Sequence, residues 1–262
     1  MDDYLIANKD HWDKLTTAHV NSKFYDLEGF KRGKSGLTKL ELEEVGEVKK
    51  KTLLHLQCHF GLGTLSWARE GAIATGIDLS EKSIALAKRL SKEVGLKADF
   101  VSSDIYSLPK VLDKKFDIVF TSFGVLPWLP DIKRWAEVIT NFLKPAGMFY
   151  IVEDHPLMGI FNHDFEISYS YFKKDPSVEE SEGSYADRNA KIKTTTYQWN
   201  HTLSDILNSL LEQKLKIEFL HEFPFSAWEP YPGLMKRDNE GWYKFKNEAI
   251  QIPLLFSIKA FK

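Results

Sequence analysis

The feature that most constrains the fold is the alternation of short apolar runs with helical segments between residues 51 and 154. The runs read KTLLHLQ, AIATGID, ADFVSSD, FDIVFTS and MFYIVED. They are continuously apolar instead of alternating with polar residues, which indicates strands buried on both faces. Such strands with helices between them form a parallel sheet covered on both sides, and their connections are right-handed. We therefore expect an α/β fold with a Rossmann-like, doubly wound, mostly parallel seven-stranded sheet.

Capping signals mark where several helices begin. Candidate N-cap residues precede helical segments at Thr38, Ser80, Asp131 and Thr202. Glu41 and Asp205 complete the capping-box spacing of the first and last of these. The last helix is expected to bury Leu203, Ile206, Leu207, Leu210 and Leu211. A helix near the N-terminus should carry Tyr4, Asn8, His11, Trp12 and Leu15 on one face, and KPAG (144–147) is expected to be a turn.

The sequence divides into a cap and a main domain. Residues 1–50 are polar and helix-like, and we expect them to form an N-terminal helical cap. Residues 51–262 should form the domain that contains the sheet. Within it, residues 156–200 are polar and aromatic-rich and are expected to form an inserted lobe. The runs LKIEFLHE and IPLLFSIKAFK, with no helix pattern between them, are expected to make an antiparallel end of the sheet.

Composition narrows the class of protein and its partners. The 262 residues include 35 Lys+Arg and 37 Asp+Glu, a net charge of −2, so nothing favours a nucleic-acid partner. Every apolar run is shorter than the ~20 residues needed to cross a bilayer, and MDDYLIANKD lacks a signal core. We expect a cytoplasmic protein without a membrane partner. The single cysteine, Cys58, excludes an intrachain disulfide, and His59 has no partner at metal-ligand spacing, so we expect no metal.

Four motifs in order resemble the class I S-adenosylmethionine-dependent methyltransferases. They are LLHLQCHFGLGT, GIDLS, SSDIYSLP, and FDIVFTSFGVLPWLPD followed by LKPAGMFYI. Each falls at the carboxyl end of its own strand, where open α/β sheets bind ligands. The match spans residues 51–154 and, more weakly, 200–262. It implies S-adenosylmethionine as cofactor and, in a subset with a Gln-Cys-His-Phe-Gly loop, a small-molecule methyl acceptor as substrate.

The resemblance also implies which residues hold the cofactor. Glycines after the first strand let the backbone approach a ligand, and the following helix presents its N–H groups there. Asp78, at the end of the second strand, is placed to accept the ribose hydroxyls, and Asp104 to accept the adenine amino group. The expected cofactor residues are Gln57, His59, Gly61, Gly63, Asp78, Leu79, Asp104, Ile105 and Ser122. The loop departs from the family's Asp-x-Gly-x-Gly-x-Gly pattern, because His55, Gln57 and His59 replace its acid and first two glycines.

Catalytic and acceptor-binding residues are expected around the same edge. Methyl transfer from a sulfonium needs alignment and exclusion of water, and a base only if the acceptor must lose a proton. The candidate bases are Asp154 and His155 after the fifth strand and His201 before the late helix, with His155 preferred. The expected acceptor-binding residues are Trp12, Tyr25, Phe123 and Trp128. Aromatic side chains of the lobe can shape an apolar pocket or hold a cation over a ring face.

The sequence alone leaves other functions open. A non-catalytic S-adenosylmethionine-binding protein would carry the same motifs. A nicotinamide dehydrogenase shares the sheet, but the window G61-L-G-T-L-S66 lacks the third glycine of G-x-G-x-x-G. Asp78 also follows Gly61 by 17 residues, short of the ~20 usual there. Methylation of DNA bases is disfavoured, because TSFG stands where those enzymes carry an Asn/Asp-Pro-Pro-aromatic motif.

Overall fold

The computed structural model describes residues 2–162 and 164–262. Its helices are α1 (Asp3–Val20), α2 (Leu27–Lys31), α3 (Lys39–Val45), α4 (Leu62–Arg69), α5 (Glu81–Glu93), α6 (Leu108–Val111), α7 (Ile132–Phe142) and α8 (Leu203–Glu212). Its strands are β1 (Thr52–His55), β2 (Ile73–Asp78), β3 (Ala98–Ser102), β4 (Phe116–Ser122), β5 (Leu143–Asp154), β6 (Ser177–Glu182), β7 (Lys193–Gln198), β8 (Lys216–Phe223), β9 (Met235–Arg237), β10 (Tyr243–Phe245) and β11 (Leu255–Phe261). Short 3₁₀ turns cover Leu126–Trp128 and Pro156–Ile160.

One seven-stranded sheet has the order β3-β2-β1-β4-β5-β11-β8. The pairs among β1 to β5 are parallel, whereas β11 runs antiparallel to both of its neighbours, β5 and β8. The predicted α/β, mostly parallel sheet and its antiparallel end are confirmed. The chain leaves β1 toward β2 and β3 on one side and returns to β4 on the other. This change of direction places a cleft at the carboxyl ends of β1 and β4.

Side chains alternate between two apolar layers along the central strands. Leu54, Val119 and Phe149 face a core with Trp135 of α7 and Leu210 of α8. The neighbouring residues in these strands face the other core, which contains Trp67 of α4, and they are Leu53, Phe120 and Tyr150. A strand that is apolar at consecutive positions must be covered on both faces, because successive side chains point to opposite sides.

The predicted helix caps are present. Ser80 Oγ accepts the N–H of Ser83 at 3.0 Å, and Asp131 Oδ1 accepts that of Arg134 at 3.0 Å. Complete capping boxes open α3, with Thr38 and Glu41, and α8, with Thr202 and Asp205. Each cap satisfies N–H groups that the helix itself leaves without a partner, so local sequence sets these boundaries.

Two local expectations are wrong. KPAG belongs to β5, which continues through it with a register shift against β4 and with Ala146 at φ 59°. In α8, Leu211 is 51% exposed, while Ile206, Ser209 and Leu210 are buried. The helix lies against α7 along a narrow stripe, so the outermost leucine of the predicted stripe remains outside it.

The N-terminal helix is attached to the inserted lobe. The Asn8 side chain of α1 forms two 2.9 Å hydrogen bonds with the backbone of Tyr197, in β7 of the lobe. The Asp13 carboxylate accepts the hydroxyl of Ser80 at 2.6 Å, which ties α1 to the start of α5. Helix α1 therefore spans from the lobe to the sheet domain above the cleft. The domain boundaries proposed above remain a prediction. Within the described ranges, no helix is long and apolar enough to cross a membrane.

Candidate active site

A cleft opens where β1 to β4 end, with α1 on one side and Tyr185 of the lobe on another. Of the expected cofactor residues, its lining contains Gln57, His59, Asp78, Leu79, Asp104 and Ile105. Of the expected acceptor-binding residues, it contains Trp12, Tyr25, Phe123 and Trp128. The sheet topology thus brings together side chains from four strand ends and the N-terminal helix.

Asp78 is fixed by the backbone around it. Its Oδ2 accepts the N–H of His59 at 2.8 Å, and its Oδ1 accepts that of Ser80 at 2.8 Å. Burial raises the pKa of the Asp78 carboxyl to about 6. Each carboxylate oxygen has a second lone pair, so both can still accept from a pair of ligand hydroxyls.

Asp104 is held in a similar way at the end of β3. Its Oδ1 accepts the N–H groups of Tyr106 at 3.0 Å and Ser107 at 2.9 Å. These bonds fix the side chain and leave Oδ2 available to an amino group in the cleft. The next residue, Ile105, is buried and lines the cleft with an apolar side chain. Oδ2 of Asp104 can accept from the amino group at the edge of an adenine ring, and the side chain of Ile105 can contact the face of the ring.

Gln57 provides the test of whether the cleft fits S-adenosylmethionine. Its Nε2 donates to the carbonyl of Val125 at 3.0 Å, which fixes the orientation of the amide. Its Oε1 is buried and has no partner among the described residues. A buried acceptor without a donor is costly, so it marks a place for a donor supplied by a ligand. The α-ammonium of the cofactor's methionine moiety is such a donor, and the residues present therefore fit the cofactor.

The two loop glycines allow close packing beneath the cleft, and their expected role in holding the cofactor remains a prediction. Gly61 and Gly63 lie outside the cleft lining. Gly61 has φ 83°, and a Cβ there would lie 2.7 Å from the Phe100 ring. A Cβ on Gly63 would lie 3.0 Å from the ring of His55. The missing side chains allow the loop and α4 to pack against the sheet and α5, so these glycines shape the cleft indirectly. Ser122 also lies outside the lining.

Aromatic rings of α1 form the cover of the cleft. The Trp12 ring lies edge-on to Trp128 at 5.1 Å and to His59 at 5.3 Å between centroids. The His11 ring stacks on Trp128 at 5.3 Å. This contact links the N-terminal helix to the loop after β4. The acceptor side of the cleft is therefore enclosed by rings from both segments.

A buried histidine pair lies beneath this cover and was not predicted as a pair. Nδ1 of His19 in α1 lies 2.8 Å from Nε2 of His59, whose Nδ1 lies 3.1 Å from Ser83 Oγ. Burial lowers the pKa of His19 to about 4 and lowers that of His59 as well. Both rings are therefore neutral near pH 7, and one facing nitrogen donates its hydrogen to the unprotonated nitrogen of the other.

The three candidate bases have very different surroundings. His155 lies outside the cleft lining, its Nδ1 accepts the N–H of Leu157 at 3.1 Å, and its Nε2 lies 2.9 Å from Glu222. His201 Nε2 lies 2.6 Å from the carbonyl of Leu129 and braces the loop behind the cleft. Asp154 also lies outside the cleft lining, and its carboxylate accepts the indole N–H of Trp228 at 3.2 Å. The geometry does not support the preference for His155, since neither ring nitrogen is directed into the cleft.

Sequence reasoning missed the residue that shapes the loop after β4. Glu153 is 1% exposed, and its carboxylate accepts N–H groups from Val125 at 2.7 Å, Leu126 at 2.9 Å and Gly124. It also accepts that of Asp154 at 2.7 Å. The one signal in the sequence is a charged residue at the end of the apolar run MFYIV.

Two aromatic residues of the site were also missed. Tyr185, at the tip of the β6–β7 hairpin, lines the cleft, and its hydroxyl is hydrogen-bonded to that of Tyr25. Trp228, in the long segment before β9, donates its indole N–H to Asp154. Both lie far along the chain from the strand ends, and only the packing of the lobe and of the segment before β9 brings them to the site.

Comparison with known proteins finds methyltransferases, the class that the sequence motifs resemble. A family model for a methyltransferase domain matches residues 54–151. An S-adenosylmethionine-dependent methyltransferase from Mesorhizobium loti is 18% identical, with a TM-score of 0.55 over 85% of this chain and 96% of its own. The magnesium protoporphyrin IX methyltransferase of Synechocystis, solved with bound SAH, is 13% identical, with a TM-score of 0.57 over 99% of this chain and 100% of its own.

Curated sequences also match part of the chain. The ubiquinone biosynthesis O-methyltransferase of Klebsiella pneumoniae is 28% identical over 150 residues, 56% of this chain and 62% of that protein. The Serratia proteamaculans enzyme of the same name is 27% identical over 144 residues, 53% and 59% of the two chains. The match thus spans about three-fifths of these relatives. Residues 54–151 therefore match the family model of a methyltransferase domain, as the motifs predict.

Proposed function

We propose that the protein transfers a methyl group from S-adenosylmethionine to a small-molecule acceptor. The observation that carries the proposal is the convergence of three groups in one cleft: Asp78, Asp104 and the unpartnered Oε1 of Gln57. Gln57, Asp78 and Asp104 follow β1, β2 and β3 in turn, and this order matches methionine, ribose and adenine along the cofactor. When bound, S-adenosylmethionine supplies an electrophilic methyl group whose departure leaves a neutral thioether.

The chain's own residues would supply alignment and exclusion of water. Trp12 and Trp128 pack edge to face over the cleft, and Tyr25 and Phe123 complete the acceptor side. A dry, enclosed site holds the reacting atoms in line, which accounts for much of the rate in a direct displacement. The enclosure suits a small acceptor better than a protein or nucleic-acid chain. The names of the curated relatives, which concern a small molecule, support the same choice.

We assign the proton-accepting role to Asp154 in place of His155. Asp154 lies beside the cleft-lining Tyr185 through Trp228. Burial and the neighbouring Glu153 raise the pKa of the Asp154 carboxyl to about 8. A base with a pKa near neutral is effective in general-base catalysis. His201 then has a bracing role, and the cytoplasmic location expected from composition remains part of this proposal.

Calorimetry and a labelled transfer assay test the proposal together. S-adenosylmethionine and S-adenosylhomocysteine should each bind with 1:1 stoichiometry, and NADH should give no heat. Label from the methyl group should then appear on a small organic acceptor. Binding of NADH without either of the other ligands would support the dehydrogenase alternative. Binding of S-adenosylmethionine without transfer to any acceptor, over a broad small-molecule panel, would support a non-catalytic binding protein.

A further inference from the structure

Asp154 is enclosed by aromatic side chains from two distant segments. Trp228 Nε1 lies 3.2 Å from Oδ2 and 3.3 Å from Oδ1 of Asp154. The rings of Trp228 and Tyr185 have centroids 6.5 Å apart, and those of Tyr185 and Tyr25 are 6.4 Å apart. We refer to Asp154, Trp228, Tyr185 and Tyr25 as the Asp154 cluster. Two of its members, Tyr25 and Tyr185, line the cleft directly, so the cluster forms one end of the acceptor side.

The two carboxyl groups at the end of β5 have no positive partner in the protein. The Glu153 carboxylate is satisfied by four backbone N–H groups, whereas Asp154 accepts only from the indole of Trp228. Across residues 2–162 and 164–262, no lysine or arginine forms an ion pair with either of them. Glu153 is buried and Asp154 is half-buried, and the charged form of such carboxyl groups is costly when no cation is paired with it. A cation supplied by a ligand would remove this cost.

The rings around Asp154 are suited to the same kind of ligand. The faces of tryptophan and tyrosine attract a cation within about 6 Å of the ring centre. Burial and, as a smaller effect, the nearby Asp154 carboxylate raise the pKa of the Tyr231 phenol. The raised pKa values of Tyr185 and Tyr231 keep both phenols neutral near pH 7, so these rings bring no formal positive charge to Asp154. An alcohol or phenol could hydrogen-bond to Asp154, but it could not form an ion pair with the ionised carboxylate.

We propose that the Asp154 cluster binds the amino group of the methyl acceptor, and that the acceptor is a primary or secondary amine. The inference rests on the proposed function. The amine arrives as an ammonium ion, which pairs with the Asp154 carboxylate and contacts the Tyr185 and Trp228 rings. One proton passes from nitrogen to the carboxylate, which frees the lone pair. The nitrogen then bonds to the methyl carbon, the carbon–sulfur bond breaks with its electron pair on sulfur, and the product nitrogen is again positively charged.

The test compares amines with alcohols of the same shape. The probes are benzylamine, phenethylamine and cyclohexylamine, each paired with its alcohol. Binding is measured by calorimetry on the protein with S-adenosylhomocysteine present, and methylation is measured separately. We expect at least one amine to bind tenfold or more tightly than its alcohol, since both the ion pair and the ring contacts are lost in the alcohol. Preference for the alcohols, equal affinity within every pair, or no binding of any amine would overturn the inference.

Variants show whether the Asp154 cluster is responsible for the preference for amines over alcohols. Asp154→Asn keeps the shape and an acceptor for Trp228, and it should abolish the preference for the amine. Trp228→Phe keeps a ring but removes the indole donor, and it should retain the preference. The matched control is Asp164→Asn, which removes an exposed acid of the inserted lobe and should leave the preference for the amine unchanged. An amine preference that survives in Asp154→Asn would overturn the assignment to this cluster.

The same samples separate the two proposals. If S-adenosylhomocysteine and S-adenosylmethionine do not bind the parent protein, the proposed function fails, whatever the amines do. If both bind and the protein methylates a phenol or alcohol but no amine, the proposed function holds and the amine inference alone is overturned. Binding of S-adenosylhomocysteine to Asp154→Asn with the parent's affinity shows that this variant is folded.

Discussion

Nδ1 of His19 in α1 and Nε2 of His59 in the loop after β1 lie 2.8 Å apart, and this contact joins the cover of the cleft to its floor. The His19 side chain is fully buried, and its Nε2 has no partner among the described residues. Burial disfavours the charged form of either ring, so protonation at low pH weakens the attachment of α1. The cover and the cofactor loop are therefore coupled through one titratable contact.

Lowering the pH should destabilise the protein through His19. Its pKa is about 4 in the folded protein, against about 6.5 unfolded, so below pH 6.5 the unfolded chain binds more protons. The loss of stability begins near pH 6.5, grows as pH falls, and is complete near pH 4. At pH 5 it amounts to about 2 kcal/mol for this residue.

The variant His19→Gln provides the measurement. Glutamine does not titrate, so the change in unfolding free energy between pH 7 and pH 5 should be smaller than in the parent by about 2 kcal/mol. Urea unfolding at both pH values measures this difference. His11 and His59 are also buried with lowered pKa values and keep part of the parent's pH dependence in the variant. An identical slope in the parent and the variant would contradict the role given to His19.

Removing the Asp78 carboxylate should weaken cofactor binding. Asp78→Ala should reduce affinity for S-adenosylmethionine by about 1.5–3 kcal/mol, the range for hydrogen bonds to a charged group. Asp78→Asn should lose less, because one acceptor oxygen remains. Titration calorimetry measures both. Asp99→Ala, an exposed acid of β3, is the matched control and should bind as the parent does. A folded Asp78→Ala protein with the parent's affinity would show that the ribose assignment is wrong.

Gly61→Ala should destabilise the protein more than Gly95→Ala. Both glycines have positive φ, 83° and 69°, so alanine is strained at either position by about 1–2 kcal/mol. At Gly95 a Cβ meets nothing within 4 Å, whereas at Gly61 it overlaps the Phe100 ring. Overpacking adds about 1–3 kcal/mol at Gly61 alone. Denaturant unfolding of the two variants measures the difference, and equal losses would mean that the contact with Phe100 relaxes without cost.

The affinity for an amine should rise with pH if the Asp154 cluster binds it. The pKa of Asp154 is about 8, and an ammonium ion pairs only with the ionised carboxylate. Between pH 6.5 and 8.5 the carboxylate loses its proton while alkylammonium ions remain charged, so binding should tighten. Glu153 is buried beside Asp154, and Tyr185 and Tyr231 face it with pKa values raised above their ordinary range.

Calorimetry of benzylamine in buffers of different ionisation enthalpy measures this effect. At pH 7 the binding heat should report the release of a proton from Asp154, and in Asp154→Asn the dependence on buffer should disappear. Benzyl alcohol, which carries no charge, should show neither trend. An amine affinity that is flat across this range would contradict an ion pair with Asp154.

Sequence determined the elements, and tertiary contacts decided how the site is built from them. Continuous apolar runs, capping boxes and acids at strand ends are local signals, so the sheet, the caps of α3 and α8, and the positions of Asp78 and Asp104 could be predicted. Adjacent residues at a strand end face opposite sides, which is why Asp154 contacts Trp228 whereas His155 packs toward Glu222. Trp228 and Asp154 are 74 residues apart, and no local pattern encodes such a contact, because it depends on where the segment between β8 and β9 folds.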